Sequence, residues 1–393
     1  MTKQFLQDAD IDKASVQICT RCIYDERVAQ IEFDSAGVCN YCWQVENLKK
    51  EFGTGEAKGE QAFELILEEI KRRGKRKPYD CIVGVSGGTD SSYLLHAAVN
   101  WGLRPLAVHY DNTWNSAIAT MNIHRVTSAL DIDLYTHVVA NKESDDIFRS
   151  FFLAGVPEID ASTDLGFAFL LRQVAAKFSI NYILEGHSFI EEGITPLGKN
   201  YFDGKYIKEI HRRFGELKLK TYPLMTFSRF LRSIIFARVS FIRPLWYIKY
   251  SKIEAKKLLT ERYGWQDYGG HHLENRMTAF FHSIYLPRKF SADMRNNVLS
   301  AQVRNGIISR SDAWTAYNLP PYCEDDLLSL VKKRLHLSDE QYEELMQSTP
   351  KHYTEYPTYK KLFEILRPLF YVFAKFNLIP LSFYLKYCFP ARD

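Results

Sequence analysis

The chain has 393 residues, of which 46% are hydrophobic and 14% aromatic, with 51 Lys and Arg against 47 Asp and Glu for a net charge of +4. So much apolar material supports a large core and excludes global disorder. At about 150 residues per domain the length suggests two or three domains. So small a net charge excludes a histone-like coat of nucleic acid.

The N-terminus, Met1 to Asp12, is polar and acidic, without the apolar core of a secretory signal. Four of the seven cysteines follow closely, as Cys19-Thr-Arg-Cys22 and Cys39-Asn-Tyr-Cys42, and the other three, Cys81, Cys323 and Cys388, are scattered. That is no disulfide framework; it predicts a reduced, cytoplasmic chain with one metal site. Each CxxC turn presents two thiolates to one ion, and two such turns complete a tetrahedral shell that suits structural Zn²⁺. Residues 1–55 are read as this module.

Residues 56–250 read as an α/β domain. Glu60 to Arg73 is helical, with Phe63, Ile66, Leu67 and Ile70 on one face. Tyr79 to Val85, Arg104 to Tyr110, Leu134 to Val139 and Tyr182 to Leu184 are short buried strands. Helices over Ser91 to Trp101, Met121 to Leu130 and Phe167 to Phe178 alternate with them. This alternation predicts a doubly wound parallel sheet. From about Ser251 the pattern turns helical, and residues 251–335 are taken as a substrate or partner region. Ser338 and Gln341 form a capping-box pattern. Pro350 to Pro357 is read as a linker, within a C-terminal aromatic tail of residues 336–393.

The strongest chemical signal is Val83-Gly-Val-Ser86-Gly87-Gly88-Thr89-Asp90-Ser91-Ser92, between a strand and a helix. Its glycines permit close backbone approach to a phosphate, and the helix N-terminus offers N–H donors. Ser86 and Ser91 can donate further bonds, and Asp90 can hold Mg²⁺ against pyrophosphate oxygens. The Walker A pattern is absent from this loop, which argues against γ-phosphate chemistry there. The string resembles the PP-loop, or N-type ATP pyrophosphatase, superfamily of adenine nucleotide alpha hydrolase-like folds, whose members cleave ATP between its α and β phosphates. That resemblance implies ATP on Ser86 to Ser92, adenosine contacts near Asp111, and a nucleotide border at Gly186 and His187, with Asp90, Ser86 and His187 as catalytic residues.

A second block, Tyr263-Gly-Trp-Gln-Asp-Tyr-Gly-Gly-His-His-Leu-Glu-Asn-Arg276, precedes Leu286-Pro-Arg-Lys-Phe290 and Asp293-Met-Arg295. Together with the CxxC pair and the loop, it resembles the N-acetyl sugar amidotransferase family of surface-polysaccharide biosynthesis. The resemblance covers about Cys19 to Pro321. It implies conversion of an acetamido group to an acetamidino group through an adenylated imidate, in lipopolysaccharide, O-antigen or related glycan synthesis. It also implies ammonia delivered by glutaminase-like and cyclase-like partner subunits. Two positions depart from the family: Met294 stands where Lys is frequent, and Thr89 where Lys commonly precedes Asp. His271, Glu274, Arg276, Lys289 and Arg295 are the candidates for contact with an anionic sugar nucleotide. The rival readings are a tRNA-modifying PP-loop enzyme and a non-catalytic scaffold of a membrane-associated glycan complex.

Near-neutrality is a cancellation. Residues 201–262 hold 15 Lys and Arg against 5 Asp and Glu, and residues 351–393 hold 7 against 3, so the remainder is acidic. The first segment interleaves Phe227, Phe230, Phe241, Trp246 and Tyr247 with its cations. It could bind a sugar nucleotide or a bilayer, or be a buried helix with snorkelling arginines; nucleic acid is the disfavoured partner. The stretch Leu362 to Phe389 is too apolar to lie free in water. It packs on the body, mates with a partner subunit, or rests peripherally on the inner membrane face, in that order of expectation.

Overall fold

Short β-branched strands separated by amphipathic helices must be covered on both faces. In the computed structural model, which describes residues 16–196, 201–270, 273–376 and 378–390, the expected runs form β1 (Cys81–Val85), β2 (Pro105–Asp111), β3 (Leu134–Val138) and β4 (Tyr182–Leu184). A fifth strand, β5 (Ser240–Ile242), lies within the basic segment. It is three residues long, too short to show a period. The sheet is wholly parallel in the order β3-β2-β1-β4-β5, with Val83 level with Ala107 on one side and Leu184 on the other. The chain winds outward from β1 to β3, then crosses back to β4 on the other side of β1. The carboxyl ends of β1 and β4 therefore flank the switch point where ligands bind in such sheets.

The helices are α1 (Asn40–Phe52), α2 (Ala57–Gly74), α3 (Thr89–Asn100), α4 (Ala117–Ala129), α5 (Asn141–Ala154), α6 (Ala161–Lys177), α7 (Gly204–Phe214), α8 (Phe227–Ala237) and α9 (Lys252–Tyr263). Strand residues alternate between the two faces. Cys81, Val83 and Val85 pack with Leu94, Leu95, Ile123, Val126 and Leu259 from α3, α4 and α9. Ile82, Leu106 and Val108 face Phe148, Phe151, Leu170 and Leu171 from α5 and α6. The sheet is thus doubly wound, as its sequence pattern predicts.

Beyond α9 the chain is helical: α10 (Arg276–Phe280), α11 (Leu286–Phe290), α12 (Arg295–Arg304), α13 (Arg310–Asn318), α14 (Leu327–Arg334), α15 (Asp339–Gln347), α16 (Lys360–Ile365), α17 (Arg367–Lys375) and α18 (Leu381–Tyr387). A π-helical stretch, Phe281–Tyr285, joins α10 to α11. The capping box at Ser338 and Gln341 is formed. Phe363, Phe370 and Tyr387 of the tail enter the same apolar core as Ile82 and Leu106, so the tail packs on the body. The expected linker at 350–357 is instead a packed strap. Tyr353 and Tyr356 are buried, the Tyr356 hydroxyl donates to the Ala154 carbonyl at 3.1 Å, and the Lys351 amide donates to that of Gly155 at 2.9 Å. Its prolines mimic a linker, but its tyrosines are core residues. Among the described residues no helix is long and apolar enough to cross a membrane.

One buried carboxyl makes stability depend on pH. Glu158 is 3% exposed and accepts from the Tyr206 hydroxyl at 2.9 Å. Burial pushes its pKa up from 4.5 to about 7, against the opposing pull of that hydroxyl. Between those values the folded state holds a proton the unfolded chain has released, so stability falls as pH rises through the interval. Glu158→Gln, which keeps an acceptor and carries no charge, is expected to raise unfolding free energy by about 2 kcal/mol at pH 8 and by little at pH 4, measured by urea denaturation at both.

Candidate active site and cysteine cluster

The loop after β1 is held open by its glycines. Gly87 has φ +83°, and a Cβ there would lie 2.2 Å from the Ala119 carbonyl oxygen. Its own carbonyl is turned inward, accepting from the Trp265 indole at 3.1 Å and the Asn122 amide at 3.4 Å. Ser86 Oγ accepts from the Gly88 amide at 3.3 Å, and Ser91 Oγ accepts from the Ser86 amide at 3.4 Å and donates to the Gly88 carbonyl at 3.3 Å. Gly88 is the N-cap of α3, whose first-turn amides have no carbonyl one turn earlier to bond. Thr89 Oγ1 is buried there without a hydrogen-bond partner among the described residues. Ser92 is buried beside it. Unmatched donors at a helix N-terminus fit a phosphate.

Asp90 is answered by two groups that sequence reading did not single out. Lys252 Nζ lies 2.7 Å from Oδ2, and the Tyr250 hydroxyl donates to Oδ1 at 2.5 Å. Glu192 stands 3.7 Å from the same ammonium, and Glu191 accepts from the Lys252 amide at 2.8 Å. Burial pulls the Lys252 pKa down, but Asp90 and Glu192 together outweigh it and hold the ammonium above the ordinary lysine value. Burial raises the Tyr250 pKa and Asp90 adds to the rise, so the phenol keeps its proton. Lys252 is the first residue of α9, where the helix dipole disfavours a cation. A lysine straight after the Ser251 cap is the signal that could have marked it. It supplies a cation to a loop that carries none of its own between Ser86 and Ser92.

The opposite wall is the turn after β2. Asp111 Oδ1 accepts from the Thr113 amide at 2.7 Å and from the Asn115 side chain at 3.3 Å, so this carboxylate braces its own turn at the rim. Residues 274–276 are stitched to that turn. The Ser116 amide donates to the Glu274 carbonyl and the Arg276 amide to the Trp114 carbonyl, each at 2.8 Å. The Asn275 side chain donates to Asn112 at 2.8 Å and to Asn115 at 3.1 Å. Glu274 is thereby aimed at the loop, where Ser86 Oγ donates to Oε1 at 3.2 Å. The Tyr268 hydroxyl comes within 3.1 Å of where a Gly88 Cβ would sit. After β4, a Cβ on Gly186 would lie 3.1 Å from the Asp90 carbonyl, so glycine lets the end of β4 approach the first turn of α3.

Other sequence-derived candidates take different places. His187 sits beside the site, but its ring is engaged by protein. Nδ1 accepts from the Trp246 indole at 3.1 Å, which leaves the proton on Nε2, donated to the Gly193 carbonyl at 3.0 Å. It orders the loop after β4 instead of presenting an acid or base. Lys289 is buried and donates to the Leu345 and Ser348 carbonyls and to Ser348 Oγ at 2.5 to 3.0 Å, capping α15. Arg295 is spent on Asp293 at 2.6 Å and on the Ala316, Tyr317 and Leu319 carbonyls. Arg276 pairs with Glu324 at 2.7 Å and Asp326 at 2.5 Å. Of the five substrate candidates, Glu274 reaches the loop, Arg276 flanks it, Lys289 and Arg295 are structural, and His271 lies outside the described residues. A charged residue in a motif looks the same in sequence whether it faces a ligand or caps a helix.

The four N-terminal cysteines converge, with all four Sγ atoms within 4.8 Å of one another. Cys19 to Cys42 and Cys22 to Cys39 are each 3.8 Å, and Cys39 to Cys42 is 3.5 Å. Bonds of about 2.3 Å to a tetrahedral zinc place sulfurs about 3.8 Å apart, so the donor set fits that ion and leaves no fifth ligand. Amides of Arg21, Cys22 and Cys39 point at Cys19 Sγ. Buried Arg304 from α12 donates to Cys42 Sγ and Cys22 Sγ, each at 3.3 Å, and stacks over Tyr24 at 4.3 Å. Arg310 donates to the Cys19 and Cys22 carbonyls at 2.9 and 3.0 Å. Burial raises the thiol pKa of the three remaining cysteines, that of Cys388 to about 11, so none is an activated thiolate.

Residues 274–369 match the family described as LPS biosynthesis protein WbpG-like, C-terminal domain. The match begins at the residue that touches Ser86. No curated protein matches the chain. Among solved structures it is similar to NMN synthetase from Francisella tularensis, with 12% identity over 72% of this chain and 95% of that one at a TM-score of 0.33. It is also similar to a predicted subunit of tRNA methyltransferase from Methanocaldococcus jannaschii, with 10% identity over 55% of this chain and 90% of that one at 0.26.

The placement of Lys289 is directly testable. Lys289→Met keeps the volume but strands the carbonyls that end α15, and is expected to cost about 2 kcal/mol of stability in urea denaturation. A stability unchanged by the substitution contradicts the capping role.

Proposed function

We propose that the chain is an ATP-dependent amidotransferase that converts an N-acetyl group of a sugar nucleotide or glycan precursor to an acetamidino group during lipopolysaccharide or related surface-glycan synthesis. The contact between Ser86 and Glu274 carries this reading. Through it, the segment that matches an LPS-biosynthesis family supplies a carboxylate to a loop built for phosphate.

An amide is a poor electrophile because resonance feeds its carbon. Attack of the amide oxygen on the α-phosphorus of ATP expels pyrophosphate and makes that oxygen a leaving group. Ammonia then adds at carbon, AMP departs, and the proton lost from nitrogen passes to solvent or base. This chain's part is to hold and neutralise. The amides of the α3 first turn, Ser86, Ser91 and Thr89 Oγ1 receive phosphate oxygens. Asp90 would hold Mg²⁺, which neutralises charge developing on pyrophosphate. Lys252, which pairs with Asp90 at the same loop, would supply the cation that meets a phosphate oxygen. Glu274 is the carboxylate nearest the loop and orients the acceptor or takes a proton from the attacking amine. Ammonia comes from glutaminase-like and cyclase-like partner subunits, and the reaction takes place in the cytoplasm.

With an N-acetylated sugar nucleotide and ammonium, release of AMP and pyrophosphate is expected to rise well above that with ATP alone. Asp90→Ala should lower it by about 100-fold or more, and Lys252→Met should raise the KM for ATP. Release driven by tRNA and not by sugar overturns the reading, as does a folded chain that binds no ATP.

The cysteine cluster is assigned to one structural Zn²⁺, which supplies a rigid crosslink and no reaction step. Four thiolates around a divalent ion carry net −2, and Arg304 offsets part of it. Metal analysis is expected to find one zinc per chain, and Arg304→Met to weaken its retention against a chelator by about 10- to 100-fold. Iron, or no metal, contradicts the assignment.

A further inference from the structure

Between α6, α8 and the tail helices lies a cavity of about 240 Å³, walled by Phe202, Phe227, Phe230, Phe241, Phe363 and Phe383. A cavity of about 150 Å³ lined wholly by aliphatic and aromatic side chains accepts a hydrocarbon as large as benzene. Sugars and nucleotides need many polar partners, whereas this lining is predominantly aromatic. The charged lining residues are Asp164, Arg172, Glu185 and Asp203. The acids are answered within the protein. Asp203 accepts from the Tyr201 hydroxyl and the amides of Lys205, Tyr206 and Tyr359. Glu185 pairs with Arg243 at 2.8 Å, and Asp164 lies in the field of Lys386.

Arg172 is different. It is 4% exposed, donates from Nη2 to the Leu378 carbonyl at 3.1 Å, and lies 4.8 Å from the Phe241 ring and 5.9 Å from that of Phe230. Its Nη1 has no hydrogen-bond partner among the described residues. Burial pulls its pKa down to about 10 against the supporting charge of Glu185, so it remains a cation at neutral pH. A buried guanidinium N–H without an acceptor is costly, and an anionic head would satisfy it with a charge-assisted bond.

The outside of the same tail indicates where such a molecule is met. Ile365, Leu369, Val372 and Phe376 are exposed at spacings of four, three and four, one stripe along α16 and α17, while Phe363, Phe370 and Ala374 are buried on the other side. Lys361, Arg367 and Lys375 are exposed among them, and no described Asp or Glu between 360 and 387 is. An apolar stripe flanked only by cations complements an anionic lipid surface.

We propose that the cavity binds the hydrocarbon chain of an anionic single-chain amphiphile, a fatty carboxylate or an alkyl or prenyl phosphate, with its head against the Arg172 guanidinium. This does not depend on the amidotransferase reading, although the cavity meets the candidate active site at Glu185, directly before Gly186.

Calorimetric titration of the full chain with dodecanoate and with dodecyl phosphate, below their micelle concentrations and without ATP, tests it. One saturable site per chain is expected, and the tighter of the two identifies the head group. Dodecanol should bind at least ten-fold more weakly. Arg172→Met should abolish that preference for a charged head. Ala168→Trp, which fills the cavity from an exposed wall position, should abolish binding and guards against misfolding of the arginine variant. The proposal is overturned by the lack of a saturable site, by dodecanol binding as tightly as the anions, or by binding that survives Ala168→Trp.

Discussion

Asp90, in the first turn of α3, is held by an ion pair with Lys252, and the path the chain takes to bring that cation shapes much of the molecule. Lys252 arrives 162 residues later, after α6, β4, α7, α8 and β5. The short parallel strand β5 returns the chain to the switch-point side of the sheet, and a 3₁₀ turn at Pro244–Trp246 leads it to Tyr250 and the start of α9. α9 then packs on α3 and delivers Trp265, which fixes the Gly87 carbonyl. The loop geometry thus depends on an ion pair whose two members lie on neighbouring helices of one layer, far apart in sequence.

Much of this was legible in the sequence, for reasons that differ by element. Strands β1, β2 and β4 are nearly unbroken apolar runs bounded by turn residues, and the cysteine spacing allows one convergence. The SGGxDS string announces a strand–turn–helix because its glycines and its helix start are both local. What the sequence could not convey is long-range pairing. Nothing near Arg304 reveals that it faces sulfur, and nothing near Lys289 reveals that it ends a helix more than fifty residues away. β5 was missed because three residues carry no period, and the strap at 350–357 because proline spacing masked two core tyrosines. His187 stands at the strand end where a catalytic histidine could stand, but the indole of Trp246, 59 residues on, takes the nitrogen such a role requires.

The electrostatics follow the same division between local and distant. The basic surplus of the C-terminal half does not form one uniform face. Arg172 is in a cavity, Lys252 is on Asp90, Arg243 is on Glu185, and Arg212 and Arg213 share Glu209 on the surface. Exposed cations stand on α8 and the tail but also on α7 and the loop after it, at Lys205, Lys208, Lys218 and Lys220, and on α9, at Lys257 and Arg262.

The clasp of Arg304 and Arg310 on the cysteine module joins points more than 260 residues apart in the chain. On a ribosome adding about 5–20 residues per second, the four cysteines wait roughly 15 to 50 s before Arg304 exists. In that interval the module has its backbone N–H donors but not its guanidinium. Closing the N-terminal module on α12 and α13 is therefore a late event in biogenesis, and the module's final burial reports that these two helices have formed against it.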